Sequence, residues 1–86
     1  MTLRRAKRNI YQAGQGKDVI ADYAAGDMLQ ILDRKGEEGD FKKATFKNDT
    51  LTLGIQGGGK VMLSGVDKDT SININGINRT VHDLLR

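Results

Sequence analysis

Gly14, Gly16, Asp18 and Asp27 are the residues whose types and spacing point to chemistry. In Ala13-Gly14-Gln15-Gly16-Lys17-Asp18-Val19-Ile20-Ala21 the small residues let the backbone turn sharply with its carbonyl oxygens inward, and Asp18 adds a charged oxygen. Hard oxygens of this kind suit calcium, which takes about six to eight of them. Nine residues further on, Asp27 and Leu29 repeat the positions of Asp18 and Ile20, and nine residues back Asn9 and Tyr11 do the same.

Other constellations are thinner. His82, the one histidine, precedes Asp83, but a triad with Ser64 or Ser71 needs an oriented base and an oxyanion hole that no segment supplies. Gly54-Ile55-Gln56-Gly57-Gly58-Gly59-Lys60-Val61 nearly spells a phosphate-binding loop. Val61 stands where the magnesium-ligating hydroxyl belongs, and the residues after it alternate like a strand, so the segment reads as a hairpin turn. Asn48-Asp49-Thr50 and Asn78-Arg79-Thr80 match the glycosylation pattern and read as turn chemistry.

These residues must be positioned by a short chain. Its 86 residues allow one domain, no Cys supplies a disulfide or a soft metal ligand, and no apolar run is long enough to span a membrane as a helix. The net charge is +3, and Arg4, Arg5, Lys7 and Arg8 carry it, since ten Lys+Arg face eleven Asp+Glu from residue 9 onward. Residues 1–8 therefore read as a basic, flexible tail.

From residue 9 the apolar pattern is that of strands. Ile10-Tyr11, Val19-Ile20 and Met28 to Leu32 are short runs bounded by Gly and Asp. Residues 33–40 carry no apolar side chain and read as an exposed loop. Thr50 to Leu53 alternates with the period of a half-buried strand, and Lys60 to Leu63 returns beside it after the glycines. Ser71 to Asn75 alternates again, with Asn73, Asn75 and Asn78 toward solvent, and Thr80 to Leu85 ends as a strand or short helix. The expectation is an all-β chain with Ile20, Leu29, Ile31, Leu51, Leu53, Val61 and Leu63 in its core.

The nonapeptide at residues 13–21 fits G-G-x-G-x-D-x-U-x with Ala13 for the first Gly, and D-Y-x-x-G-D-x-L-x-I-L follows it. Over residues 9–32 the chain resembles the RTX, or haemolysin-type calcium-binding, repeat family. Residues 41–75 are more loosely similar to the β segment that caps such repeats. The resemblance implies short β-roll-like coils, two nonapeptides to a coil, continued by a small antiparallel sheet or sandwich. It implies one domain over residues 9–86, with repeats at 9–32 and a capping segment at 41–86. It also implies a secreted, extracellular protein.

Carried over residue by residue, Gly14, Gly16 and Asp18 form one calcium half-site and Asp27 belongs to another. Their partner loops lie 18 residues away. One would centre on Gly36, without the motif; the other would set Asn9 opposite Asp27, with Arg5 and Lys7 in the glycine slots. Cations repel a divalent ion, so calcium binding is expected to be weak or lost, with a Kd of about 10⁻³ M or poorer.

The reading is a non-enzymatic structural module resembling the C-terminal capping region of an RTX-type protein. Its partners would be the remainder of such a protein, or a second copy joined through β edges, with no small-molecule substrate. The alternative is a small basic β domain that binds nucleic acid or anionic surfaces through the N-terminal arm.

Overall fold

The computed structural model describes residues 8–21, 23, 24 and 26–85. The basic residues Arg4, Arg5 and Lys7 lie outside these, as do the nonapeptide positions Asp22 and Ala25. Arg8 opens the first strand.

The all-β expectation holds. Among the described residues the strands are β1 (Arg8–Gln12), β2 (Lys17–Ile20), β3 (Met28–Leu32), β4 (Phe41–Lys47), β5 (Thr50–Ile55), β6 (Lys60–Ser64), β7 (Ser71–Ile74) and β8 (Ile77–Thr80), followed by one helical turn, α1 (Val81–Leu84). They form two four-stranded sheets, ordered β1-β3-β7-β8 and β2-β6-β5-β4. No helix among the described residues is long and apolar enough to cross a membrane.

The chain changes sheet at four of its seven strand connections. β1 lies in the first sheet, β2 in the second, and β3 returns to pair in parallel with β1, Arg8 opposite Met28 and Tyr11 opposite Ile31. That return takes 20 residues, two more than the 18 expected of paired nonapeptides, so Asn9 sits opposite Leu29 rather than Asp27. β6 then pairs in parallel with β2, and β7 with β3. Between β3 and β6 the chain inserts β4 and β5, both antiparallel to their neighbours. The strands after residue 41 thus complete both sheets instead of forming one of their own.

Alternation decides which side chains meet. On β5, Leu51, Leu53 and Ile55 are buried while Thr50, Thr52 and Gly54 face outward. Tyr11, Leu29, Ile31, Ile72 and Ile74 of the first sheet and Ile20, Leu51, Leu53, Ile55, Val61 and Leu63 of the second belong to a single apolar cluster. All seven expected core residues are among the buried ones. At about 1.5–3 kcal/mol per fully buried aliphatic side chain, this cluster is the main favourable term of folding.

Turn chemistry closes the hairpins. Asn48 and Asp49 both adopt positive φ (52° and 58°) between β4 and β5, and Asn75-Gly76 (54° and 90°) does so between β7 and β8. Successive positive φ values match the twist of the flanking strands. The second hairpin adds β8, a strand that the sequence pattern missed; Asn78 and Thr80 stand in it rather than in a turn. Thr80 then caps α1, its hydroxyl accepting from the Asp83 amide at 3.2 Å.

Asn75 does not simply face solvent. Its side-chain oxygen accepts from the Ile31 amide at 2.8 Å and its nitrogen donates to the Gly39 carbonyl at 2.8 Å. One side chain thereby joins β3, the 33–40 loop and the last hairpin. Asn75→Ala is expected to lower stability by about 2–3 kcal/mol, since it strands two backbone groups and places Ala at positive φ. Asn75→Gly is expected to recover only the backbone part, leaving about 1–2 kcal/mol. Urea unfolding of both variants measures the difference.

Candidate functional site

The glycine turn between β1 and β2 is held from three sides. The Tyr11 hydroxyl donates to the Gly16 carbonyl, which also accepts from the Lys60 amide at 3.1 Å. The Gly14 amide donates to the Gly58 carbonyl at 3.1 Å. Arg34 lies against the turn: its Nε donates to the Gly57 carbonyl at 2.6 Å, and a Cβ on Gly14 would sit 3.5 Å from the guanidinium carbon. Gly14 and Gly16 hold φ of 94° and 86°, a region that an L side chain avoids.

On β2, Asp18 lies opposite Val61 of β6 and on the same side as buried Ile20, yet it is exposed. Its carboxylate accepts from the amide of Val19 at 3.1 Å.

Asp27 stands at the other end of β2, beyond the β2–β3 turn, and is 1% exposed. Its carboxylate accepts from the Ala24 amide at 3.1 Å, and its carbonyl accepts from the Tyr23 hydroxyl at 2.7 Å. The same hydroxyl accepts from the Asn73 amide at 2.8 Å, which ties this turn to β7. Burial raises the Tyr23 pKa above 10.0 and the nearby Asp27 charge raises it further, while the Asn73 bond acts the other way.

The four predicted residues therefore fall in two groups at opposite ends of β2: the first meets a cation from the loop around Gly36 rather than a ligand, and Asp27 does not face Asn9. Asn9 reaches the Met28 carbonyl at 3.4 Å instead of facing Asp27. The Gly14–Gly16 turn meets the Gln56–Gly59 turn and, from the loop that contains Gly36, the side chain of Arg34. A guanidinium beside the turn, and a Gly16 carbonyl already accepting two bonds, fit a calcium shell poorly. Among the described residues no three His, Cys, Asp or Glu side chains gather where they could hold a metal ion.

Sequence reasoning missed Arg34 and the structural role of the glycine run. A signal was present: Gly59-Lys60 precedes Val61-Met62-Leu63 as Gly16-Lys17 precedes Asp18-Val19-Ile20, and these segments pair residue for residue. The near-phosphate-loop is the second copy of the glycine turn, stacked on the first. The nearby 33–40 loop borders an open cleft of about 590 Å³. Two of its carboxylates are engaged in turns, Asp33 with the Lys35 and Glu37 amides and Asp40 with the Phe41 amide. His82 and Asp83 are both exposed, and the His82 amide donates to the Lys68 carbonyl at 3.0 Å.

Comparison with known proteins leaves the geometry to stand alone: no family model, curated protein or solved structure matches the chain.

Gly59 is the tightest position in the stack, because a Cβ there would collide with the Tyr11 hydroxyl and lie 2.8 Å from the Gly16 carbonyl at φ 91°. Gly16→Ala meets no atom within 4 Å. It is expected to cost only backbone strain, about 1–2 kcal/mol. Gly59→Ala adds overpacking and is expected to cost about 3 kcal/mol or more by urea unfolding.

Tyr23 gives a pH prediction. Its neutral phenol is favoured in the folded state, so the unfolded chain releases that proton first, at about pH 10. The contribution is intact below pH 10 and is lost as pH rises through the higher folded value. In an alkaline titration followed by phenolate absorbance, the signal that Tyr23→Phe removes is expected to appear above pH 10 and together with unfolding.

Proposed function

We propose that the chain is a non-enzymatic structural module that closes one end of a β-roll, as the resemblance to RTX proteins implies. One observation carries this reading: the two ends of the stack are built differently. At one end β1 and β2 are the open edges of the two sheets, both running parallel to their neighbours β3 and β6. A preceding coil, or the same edges of a second copy, has a ready-made register to continue there.

At the other end the edges are β8 and β4, each antiparallel to its neighbour. Phe41, Ala44 and Phe46 of β4 pack on the core, and the Arg79 guanidinium of β8 stacks over the Phe41 ring at 5.5 Å. A cation on an aromatic face, with its aliphatic stem along apolar surface, covers the end of a hydrophobic stack without leaving it dry-edged. Arg34 then plays the part of an internal cation at the glycine turns, consistent with calcium binding that is weak or lost. Secretion as part of a larger RTX-type protein belongs to the same proposal.

The test is a fusion of this chain behind an array of consensus calcium-binding nonapeptides. The array is expected to gain β structure, by circular dichroism, at lower calcium when the chain is attached than when the two are mixed unlinked. With EDTA the array is expected to unfold while this chain keeps its own melting transition. Equal calcium midpoints for the fused and unlinked arrays would refute the capping role.

A further inference from the structure

The outer face of the β2-β6-β5-β4 sheet carries charge of one sign. With Ile20, Val61, Leu63, Leu51 and Leu53 turned inward, alternation places Lys17 and Val19 of β2, Lys60, Met62 and Ser64 of β6, Thr50, Thr52 and Gly54 of β5, and Lys43, Thr45 and Lys47 of β4 on the outside. Asp18, the one carboxylate among these strands, is on the inner side. The pairing lines up Lys17, Lys60, Gly54 and Lys43 in one row across the sheet. Three strand spacings make that row about 14 Å long. Gly54 leaves its middle open.

Lysines on the edge strands β2 and β4 have a familiar use, since they discourage aggregation. That use does not extend to Lys60, which lies on an interior strand directly opposite Lys17. Like charges in this position destabilise a sheet, and a departure from a local folding rule marks residues retained for another purpose.

We propose that this face binds the phosphate backbone of a nucleic acid, with the strand running across the sheet along Lys17, Lys60 and Lys43. The surrounding charges select a linear polyanion over a flat anionic membrane. Asp33, Glu37, Glu38 and Asp40, with Arg34 and Lys35 among them, occupy the loop at one end of the strands, and Asp49, Asp67 and Asp69, with Lys68, the turns at the other, so both rims are net acidic. A broad anionic surface pressed on the face would meet both acidic rims. The row lies at the end of the strands where β2 and β6 begin, so a single strand along it meets the three lysines and only the nearer rim. The face holds no aromatic side chain, so it offers no platform for bases and recognition is of phosphates, independent of sequence. The proposal moves nucleic-acid contact from the N-terminal arm to the sheet and does not depend on the capping role.

The test is fluorescence anisotropy with a labelled mixed-sequence DNA duplex between about 50 and 200 mM salt, where phosphate contacts weaken steeply. Binding is expected to fall with log salt, and Lys60→Gln and Lys43→Gln are each expected to reduce the slope by about 0.9. Lys68→Gln, in the β6–β7 turn, is expected to change neither slope nor affinity. Unchanged melting curves for the three variants exclude loss of fold as the cause. The proposal is overturned by absence of binding at the lowest salt, by binding that only deletion of residues 1–7 abolishes, or by lysine-dependent binding to phosphatidylserine vesicles without binding to DNA.

Discussion

A chain that passes from one sheet to the other must bring its strands back beside themselves, and here it does so around a single apolar layer. Tyr11, Leu29, Ile31, Ile72 and Ile74 face Ile20, Leu51, Leu53, Val61 and Leu63, and neither set has another surface to bury against. Burying both at once requires the turns to cross from sheet to sheet in little space. The glycine turn at Gly14–Gly16 can stack on that at Gln56–Gly59 because Gly59 has no Cβ to meet Tyr11. Tyr11 in turn links both, its ring in the core and its hydroxyl on the Gly16 carbonyl.

Polar groups at the ends follow the same need. Every turn that crosses between sheets leaves backbone groups without a ladder partner, and such groups cost free energy when buried unpaired. Asp27 takes the Ala24 amide, Asn75 the Ile31 amide and the Gly39 carbonyl, Asp33 the Lys35 and Glu37 amides, and Arg34 the Gly57 carbonyl. Side chains that look like metal ligands in a linear pattern are thus committed to the backbone. The carboxylates gather at the strand ends, and the outer face of one sheet is left to the lysines.

The strands and the core were legible because alternation is local. Thr50 to Ile55 and Lys60 to Ser64 display their buried and exposed faces in the order of their residues, and each of the seven expected core positions proved buried. Asn75-Gly76 was legible as a break but not as a hairpin, because Ile77 to Thr80 does not alternate as a half-buried strand does: Ile77 and Asn78 are exposed and Arg79 and Thr80 half-buried. The two-residue difference between an 18-residue repeat and the observed 20-residue return was not legible, since it is a register between strands far apart in the chain.

The sequence by itself determined the class of fold, seven core positions and most of the turns, because each follows from the chemistry of neighbouring residues. Only the tertiary structure decided which turns stack, that Arg34 stands beside Gly14, that Asn9 misses Asp27, and that Lys17, Lys60 and Lys43 share a row. Those relations join residues far apart in the chain, and their register is set by the packing of two sheets on one core rather than by any local preference.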